Sequence, residues 1–457
     1  MSNKKALSIL IGALLLLTIF QSCGREWLEV KPDKSLIVPN SVEDYQMLID
    51  NSALFNNSQP IGMGEIGAGD FYLVFEVWES LFARQEKSAY IWAPTESFYG
   101  AELSTDWGVG YKRILNANAI LDGINKVGPK ANEQHSWNNV KGSALFFRAF
   151  DYFNLAQEYC IGYDLSTAST DLGLPLRIEY DINVKVKRSS LQQTYDRIIA
   201  DLLTAADLLG TSPAYKTRPS KQAVYALLAR VYLVMEKYQE AGYYVDLALQ
   251  IQSELLDYKT LNSRSSYPFE RFNAEVIFQS SFSYGIFNAS RLIVEPELYD
   301  SYSNNDCRKD LYFTQNAYGM TFKGSYNGDK NLFGGLATDE LYLIRAEVRV
   351  RNNQLELALA DLNHLRKKRW KSNYQDLTGS NPLNILKLIL QERQKELAFR
   401  GIRWTDLRRL NKDSRFAVTL ARTIGNITYN LLPNDKRYVI PIDAEEIRLS
   451  GIQQNER

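Results

Sequence analysis

The sequence predicts a mainly α-helical protein, in which paired helices form a tetratricopeptide-like scaffold with irregular, loop-rich insertions. Apolar residues recur at three-to-four spacing over long stretches, which is the periodicity of an amphipathic helix. Two of these stretches share a helical-hairpin pattern, and the segment between them is rich in Ser, Asn, Tyr and Gly without a helical period. We therefore expect scaffold at about 105–252 and 338–410, and insertions at about 55–105 and 255–335.

The individual helices are placed by their caps and apolar stripes. Ser41, with Asp44 three residues later, has the spacing of a capping box, which predicts a helix over 41–50. Apolar periodicity predicts further helices at about 107–126, 136–160, 190–209, 220–236 and 238–252.

The hairpin pattern resembles a tetratricopeptide unit, a pair of antiparallel helices in about 34 residues whose small side chains allow close packing. The mutual spacing of such a unit is present in Ala229, Tyr232, Ala241 and Ala248. A degenerate second copy has Ala346 and Ala358, again twelve residues apart. Two unrelated amphipathic hairpins remain the alternative explanation of this spacing.

A glycine-rich stretch, Gly62–Gly67, spells G-x-G-x-x-G. In a dinucleotide-binding fold this motif follows a strand and opens a helix, whereas here Pro60 precedes it and Gly69 and Asp70 follow. The context argues against nucleotide binding, and we predict a flexible loop. The aromatic residues that follow are so dense that most of them belong to the core, and the remainder are candidates for stacking on a ligand.

Composition argues against several classes of function. The 457-residue chain has 53 basic and 53 acidic side chains, so it offers no general attraction for nucleic acid. Its two histidines, His135 and His364, lie in no metal-ligand or nucleophile motif, and no H-E-x-x-H, G-x-S-x-G or P-loop sequence is present. We therefore predict a protein that is not an enzyme and has no cofactor or metal.

Two alternatives remain open at this point. Paired carboxylates are unavoidable among so many acidic residues, so a glycosidase is a possible interpretation. A calcium site built from loop oxygens is conceivable at 304–306 or 327–329, although neither segment has the twelve-residue spacing of a calcium-binding loop. Turn formation is the simpler interpretation of both segments.

Residues 1–22 have the pattern of an export signal. Two lysines precede an apolar run at 6–20, which is shorter than the roughly 20 residues of a membrane-spanning helix. Ser22, a small residue, directly precedes Cys23. This ending resembles a bacterial lipoprotein signal, in which the cysteine is lipidated and becomes the mature N-terminus. We predict Cys23 as the lipidation site and 23–457 as a single domain.

The segment 392–410 interleaves charged and apolar side chains. It continues a helix that the apolar stripe at 385–390 predicts, and Glu392, Glu396 and Arg400 then share one helical face. In that arrangement Arg400 can pair with Glu396. Because aromatic rings are interleaved with the charges, we expect the charges to lie against a packed surface.

Several motifs resemble, in order, those of the SusD/RagB family of surface nutrient-binding lipoproteins. They include the helix at 339–349, the turn at 361–366, the ending at 440–442, and the C-terminal signature Glu392-Arg393, Glu396-Leu397, Gly401, Arg403-Trp404 and Asp406-Leu407. Arg400 departs from the glutamate that is more usual before the glycine. We interpret the signature charges, Glu392, Glu396, Arg403 and Asp406, as structural pairs rather than ligand contacts.

The resemblance implies an outer-membrane lipoprotein that caps a TonB-dependent, SusC-like transporter and captures oligosaccharides or peptides. The alternatives are a protein-interaction adaptor built from helical pairs and, as a third hypothesis, a surface glycan hydrolase. A binding protein of this kind would stack exposed aromatic rings on the C–H faces of a sugar. Candidates chosen by region and residue type are Trp78, Trp92, Tyr99, Tyr284 and Tyr302. For each of them, core packing is the competing interpretation.

Overall fold

The computed structural model describes residues 39–100 and 106–457, so the export signal and Cys23 lie outside the described residues. Helices occupy much of this chain, which confirms the prediction of a mainly α-helical fold. They are α1 (Val42–Ile49), α2 (Ser52–Phe55), α3 (Gly62–Gly67), α4 (Phe75–Glu79), α5 (Arg84–Tyr90), α6 (Asp106–Val127), α7 (Gln134–Tyr159), α8 (Leu191–Leu208), α9 (Lys221–Val234), α10 (Tyr238–Ile251), α11 (Pro296–Asp300), α12 (Cys307–Tyr312), α13 (Thr338–Arg351), α14 (Leu355–Lys367), α15 (Pro382–Glu396), α16 (Arg403–Leu410) and α17 (Ala444–Ser450).

The strands are short and form two-stranded antiparallel sheets. They are β1 (Phe71–Tyr72), β2 (Leu172–Pro175), β3 (Arg188–Ser190), β4 (Val276–Phe278), β5 (Ser281–Phe282), β6 (Ile293–Val294), β7 (Phe313–Gln315), β8 (Met320–Phe322), β9 (Leu332–Phe333), β10 (Leu336–Ala337), β11 (Leu420–Ile424) and β12 (Ile427–Leu431). The pairs are β1–β6, β2–β3, β4–β10, β5–β9, β7–β8 and β11–β12. Most of these strands lie in the segments where loop-rich insertions were predicted, or in the C-terminal region.

The long helices pack as an array in which α6, α7, α8, α9, α10, α13 and α15 contact one another in that order. The predicted hairpins are present, because α9 packs on α10 and α13 packs on α14. Their small residues have no exposed surface: Ala229 and Ala241 in the first pair, Ala346 and Ala358 in the second. Close approach of the two helices is possible because these side chains end at Cβ. None of the helices in the described ranges is both long enough and apolar enough to cross a bilayer.

The start of α1 has the predicted capping box. The Ser41 backbone N–H donates to a carboxylate oxygen of Asp44 at 3.1 Å, and the Asp44 backbone N–H donates to the Ser41 hydroxyl at 3.2 Å. The two bonds satisfy donors that the first turn of a helix would otherwise leave without partners.

The glycine-rich stretch is a buried helix, α3, so the prediction of a flexible loop was wrong. A Cβ on Gly64 would lie 2.9 Å from Cδ1 of Trp404, and one on Gly67 would lie 2.8 Å from Cζ3 of the same ring. The glycines therefore serve close packing against α16 rather than phosphate binding. Asp106 and Glu158 accept the N–H groups at the start of α3, from Met63 at 3.0 Å and from Gly64 at 2.8 Å.

The C-terminal signature does not form one continuous helix. The α15 helix ends at Glu396, and the chain turns through Phe399 and Gly401, whose φ angles are +59° and +71°. The predicted pairing of Arg400 with Glu396 was therefore wrong, because the two residues no longer share a helical face. Arg400 pairs instead with Asp339 of α13, at 2.7 Å.

The other signature charges are buried ion pairs, as interpreted from the sequence. Glu392 pairs with Arg366 at 2.9 Å. Asp406 accepts Arg393 and Arg409, each at 2.8 Å. Arg403 lies 3.8 Å from the carboxylate of Asp70. These pairs join α15 to α14 and to α16, and the Arg403 contact joins α16 to Asp70.

Candidate ligand-binding cavity

A cavity of about 810 Å³ opens where the two predicted insertions meet. Apart from Val109 and Phe399, its lining residues come from 55–105 and 255–335, so the insertions form the cavity and the helical array supports it. The lining residues are Ser58, Gln85, Glu86, Val109, Arg264, Ser265, Ser266, Tyr267, Ser283, Tyr284, Gly285, Phe287, Asn288, Ala289, Thr314, Phe322, Lys323, Ser325, Asp329, Lys330, Leu332 and Phe399.

Aromatic rings provide the apolar part of this lining. Tyr267 is 45% exposed and Tyr284 is half-buried, so both offer ring surface to the cavity. Phe287 packs edge-on against Tyr284 with ring centroids 6.3 Å apart. Phe322 stacks on Phe399 at 4.5 Å, which anchors the cavity floor to the turn after α15. Phe287, Phe322 and Phe399 are buried beneath the lining, and Tyr284, whose ring is held by this packing, presents flat apolar surface without having to be ordered by a ligand.

The position of the Tyr284 ring depends on a hydrogen bond of its hydroxyl group and on the absence of a side chain at Gly62. Its hydroxyl donates to Asp106, the same carboxylate that accepts the N–H of Met63. A Cβ on Gly62 would overlap the Tyr284 ring, so only glycine allows the ring to take this position. Burial, together with the nearby Asp106 carboxylate, raises the pKa of Tyr284 well above its usual value. The hydroxyl therefore stays protonated and remains a donor.

The turn that carries Tyr284 is held by Glu86 of α5. The two carboxylate oxygens of Glu86 accept the backbone N–H groups of Gly285 and Ile286, at 3.1 and 2.7 Å. A carboxylate that accepts two neighbouring N–H groups defines the backbone path closely. The first insertion thus positions a ring-bearing turn of the second.

A second lining segment is held by Lys323. Its ammonium group donates to the backbone carbonyls of Ser263 and Ser265, at 2.6 and 3.1 Å. These bonds fasten the loop that presents Tyr267 at the cavity rim. Apart from Arg264, residues 262–266 of this loop are Ser and Asn, which are residues that commonly form turns.

Of the five aromatic candidates from the sequence, Tyr284 lines the cavity. Trp78 and Tyr99 are half-buried elsewhere, and their polar atoms donate to the backbone carbonyls of Lys87 and Pro441.

Trp92 and Tyr302 are core residues, with exposures of 2% and 1%. The Trp92 indole N–H donates to the Gly67 carbonyl at 3.1 Å, and the Tyr302 hydroxyl donates to the Lys395 carbonyl at 2.7 Å. Their placement does not support them as stacking residues, because no ring face is open to a ligand. Residue type and region could not separate these rings from Tyr284, since the packing partners are distant in sequence.

Tyr267, Phe287 and Phe322 line the cavity but were not predicted from the sequence. A signal for Tyr267 was available, because it is a single aromatic residue after a run of polar residues at 262–266, where no core helix or strand would need it. Phe287 and Phe322 carried no comparable signal. Both belong to short apolar stretches that read as ordinary core.

A buried acidic cluster elsewhere has a spacing that could hold a metal: Glu275, Asp339 and Glu396 offer oxygens within 4.8 Å of one another. Arginines occupy this space instead. Arg369 lies 2.8 Å from Glu275 and 2.7 Å from Glu396, and Arg400 pairs with Asp339. Burial raises the pKa of Glu396, but the guanidinium groups of Arg369 and Arg308 outweigh this effect and lower the pKa to about 2. The guanidinium groups thus provide the positive charge that the carboxylates require.

The loop segments considered for calcium are turns stabilised by their own side chains. Asp306 caps α12 and accepts the Arg308 guanidinium at 2.9 and 2.7 Å. Asn327 donates its side-chain amide to Asp329 at 2.6 Å. Asp306 thus takes part in a helix cap and Asn327 in a turn.

Comparison with known proteins identifies the fold family. Residues 26–233 match a family described as starch-binding and associating with the outer membrane, and residues 338–456 match the SusD family. The chain belongs to the SusD/RagB family. The C-terminal match includes the signature and its buried ion pairs, and the N-terminal match includes the array from α6 to α9.

Relatives of this family are distant in sequence. The chain is 31% identical over 139 residues to SusD-like protein P2 of Formosa agariphila, an alignment that covers 30% of this chain and only 23% of that relative. A SusD superfamily protein of Bacteroides thetaiotaomicron superposes with a TM-score of 0.74 at 20% identity, over 91% of this chain and 100% of the other. A putative sugar-binding protein of Bacteroides vulgatus superposes with a TM-score of 0.73 at 19% identity, over 92% and 99%. These structures establish a shared fold.

Proposed function

We propose that this SusD/RagB family member is a non-catalytic binding lipoprotein that captures oligosaccharides in the cavity between its two insertions. The observation that carries the proposal is the lining, in which Tyr267 and Tyr284 offer ring surface beside polar side chains. Rings of this kind stack on the C–H faces of sugars, while polar groups set the register. The volume, about 810 Å³, is within the range of small-molecule sites.

The comparisons support a sugar as the ligand class. One matching family is described as starch-binding, and two fold relatives from Bacteroides vulgatus are named as a putative sugar-binding protein and a SusD-like carbohydrate-binding protein. Peptides are the competing ligand class. The experiment below therefore includes both.

Binding without catalysis is supported by the state of the acidic side chains at the cavity. Both lining carboxylates, Glu86 and Asp329, accept hydrogen bonds from the protein's own backbone. A glycosidase needs one carboxyl group free to donate a proton to the leaving oxygen and a second directed at the sugar or at a water. Carboxylates engaged in holding turns are poorly placed for either task.

We also propose that Cys23 is lipidated and that the protein passes its ligand to a SusC-like TonB-dependent transporter in the outer membrane. The family description supports outer-membrane association. Acyl chains on one cysteine would anchor the protein, since each buried methylene contributes about 0.8 kcal/mol. Cys23→Ala should move the protein from the membrane fraction to the soluble fraction, and affinity capture of the wild-type protein should recover the transporter. Recovery of a partner without any small ligand would favour the adaptor hypothesis.

Titration calorimetry on the full chain, in a detergent without a sugar headgroup, tests the binding proposal. Tyr267→Ala should weaken oligosaccharide binding about threefold to tenfold, which corresponds to one stacking contact. Tyr318→Ala is the matched control, because Tyr318 is 50% exposed and lies outside the lining. Equal effects of the two substitutions, tighter binding of oligopeptides, or the appearance of cleaved sugar would each contradict the proposal.

A further inference from the structure

The charges that line the cavity are unbalanced. Three cationic side chains line it, those of Arg264, Lys323 and Lys330, against the two carboxylates of Glu86 and Asp329. The whole chain has equal numbers of basic and acidic residues, 53 of each, so the excess at the cavity is local. A local excess of one sign in a concave site attracts ligands of the opposite sign.

The two carboxylates direct their oxygens at protein donors. Glu86 is buried and accepts two backbone N–H groups of the turn that carries Tyr284. Asp329 accepts the Asn327 side-chain amide at 2.6 Å and the Asn331 backbone N–H at 2.7 Å. Each carboxylate thus accepts at least two hydrogen bonds from the protein's own amide groups.

The cationic side chains, in contrast, have donors that can still bind an anion. Arg264 and Lys330 are exposed, and within residues 39–100 and 106–457 neither side chain has an ion-pair or hydrogen-bond partner. Lys323 is half-buried and donates to two backbone carbonyls, and no carboxylate of the described residues lies within ion-pair distance of its ammonium group. Arg264 belongs to the loop that Lys323 holds in place, and it lines the cavity together with Tyr267.

We infer that the cavity takes an acidic oligosaccharide, whose carboxylate or sulfate groups bind Arg264 and Lys330. A guanidinium fork binds either anion with two parallel hydrogen bonds, and an ammonium group acts as a mobile point charge. Tyr267 and Tyr284 then stack on the sugar rings between the charged groups. The inference rests on the proposed function, because it requires this cavity to be the sugar site.

The test is a comparison of three oligosaccharides of equal length by titration calorimetry on the full chain. The probes are an oligogalacturonate for carboxylate, a carrageenan oligosaccharide for sulfate, and a malto-oligosaccharide as the neutral sugar. At least one acidic probe should bind about tenfold more tightly than the neutral one. Its affinity should fall severalfold between about 50 mM and about 300 mM salt. Comparison of the oligogalacturonate with the carrageenan oligosaccharide shows whether a carboxylate or a sulfate is the anion that binds.

Charge-removing substitutions provide the structural control. Arg264→Gln and Lys330→Gln should each weaken binding of the acidic probe about threefold to tenfold and leave the neutral probe unchanged. Lys387→Gln is the matched control, since Lys387 is an exposed lysine outside the cavity lining. All three side chains are exposed, so the melting temperature should stay within about 1–2 °C of the wild-type value.

The possible outcomes separate this inference from the proposal on which it rests. Binding of the neutral sugar as tight as that of both acidic sugars, or insensitivity to Arg264→Gln and Lys330→Gln, overturns the inference and leaves the proposed function intact. An oligoglutamate that binds more tightly than the acidic sugars also overturns it. Failure of every sugar to bind overturns both.

Discussion

Arg308 and Glu396 form an ion pair of 2.6 Å between Nη1 and Oε2, with no exposed surface on either side chain. Arg308 belongs to α12 in the second insertion, and Glu396 ends α15 of the helical array, 88 residues further along the chain. Arg369 pairs with Glu396 as well and extends the network to Glu275. The network fastens the insertion that lines the cavity to the scaffold that supports it. Buried charges of this kind specify one arrangement because each is costly without its partner.

Removing one member of this network should therefore be strongly destabilising. Arg308→Met removes a buried cation that Asp306, Glu392 and Glu396 share, and Arg369 and Lys395 compensate only part of the charge that remains. The free energy of unfolding should fall by about 3–5 kcal/mol in urea titrations. Arg415→Met is the matched control, because Arg415 pairs with Asp413 at 2.6 Å in an exposed position. Its effect should stay below about 0.5 kcal/mol. Similar losses from the two substitutions would show that burial does not determine the strength of these pairs.

Glu65 should make the stability of the protein depend on pH. Burial, with the Asp70 carboxylate adding to it, raises the pKa of Glu65 to about 8, while the Gly401 N–H and Arg403 act in the opposite direction. In the unfolded chain the pKa is about 4.3. The folded state therefore retains a proton that the unfolded chain releases, so the stability from this group is fully present below about pH 4.3 and is lost as the pH rises to about 8.

The variant Glu65→Gln tests this dependence. The glutamine oxygen can still accept the Gly401 N–H, which Glu65 accepts at 3.0 Å, but the side chain no longer titrates. The decline of the free energy of unfolding between about pH 5 and about pH 8 should become shallower in the variant. Asp151 and Asp339, whose pKa values burial raises to about 7, retain part of the slope. If the free energy of unfolding declines with pH equally in the variant and the wild type, Glu65 is not a source of the pH dependence.

The packing of α3 on Trp404 predicts a penalty for any side chain at Gly64. Gly64→Ala would place a methyl group 2.9 Å from a buried indole ring, and the free energy of unfolding should fall by about 1–3 kcal/mol. The gain in helix propensity, up to about 1 kcal/mol, opposes this loss without cancelling it. Gly210→Ala is the control, because no atom lies within 4 Å of its added methyl. Stabilisation by Gly64→Ala would refute the packing argument.

Trp92 and Tyr267 should respond in opposite ways to substitution by alanine. Trp92→Ala removes a ring that is 2% exposed, and the free energy of unfolding should fall by about 3–5 kcal/mol. Tyr267→Ala removes a ring that is 45% exposed, and stability should change by less than about 0.5 kcal/mol. Ligand affinity should fall for Tyr267→Ala, as proposed above. A stable Trp92→Ala protein with impaired binding would restore the original expectation for Trp92.

The sequence alone determined the helical scaffold, because its signals are local. The apolar periods at α6 to α10 and the capping box at Ser41 and Asp44 depend on residues within a few turns of one another, and the structure has them where they were predicted. The alanine spacing of the hairpins and the pattern of charges in the signature could be recognised for the same reason, because both are local in sequence. The expectation that loop-rich segments carry the ligand surface also came from the sequence, and it stays a prediction.

Only the tertiary structure decided which residues meet. Because the chain turns at Phe399 and Gly401, Arg400 lies away from Glu396 and pairs with Asp339. The glycine-rich stretch is a buried helix that packs closely on Trp404. The same long-range packing placed Trp92 in the core and Tyr267 at the cavity. Periodicity records only which face of an element is apolar. Which element covers that face depends on contacts between residues hundreds of positions apart.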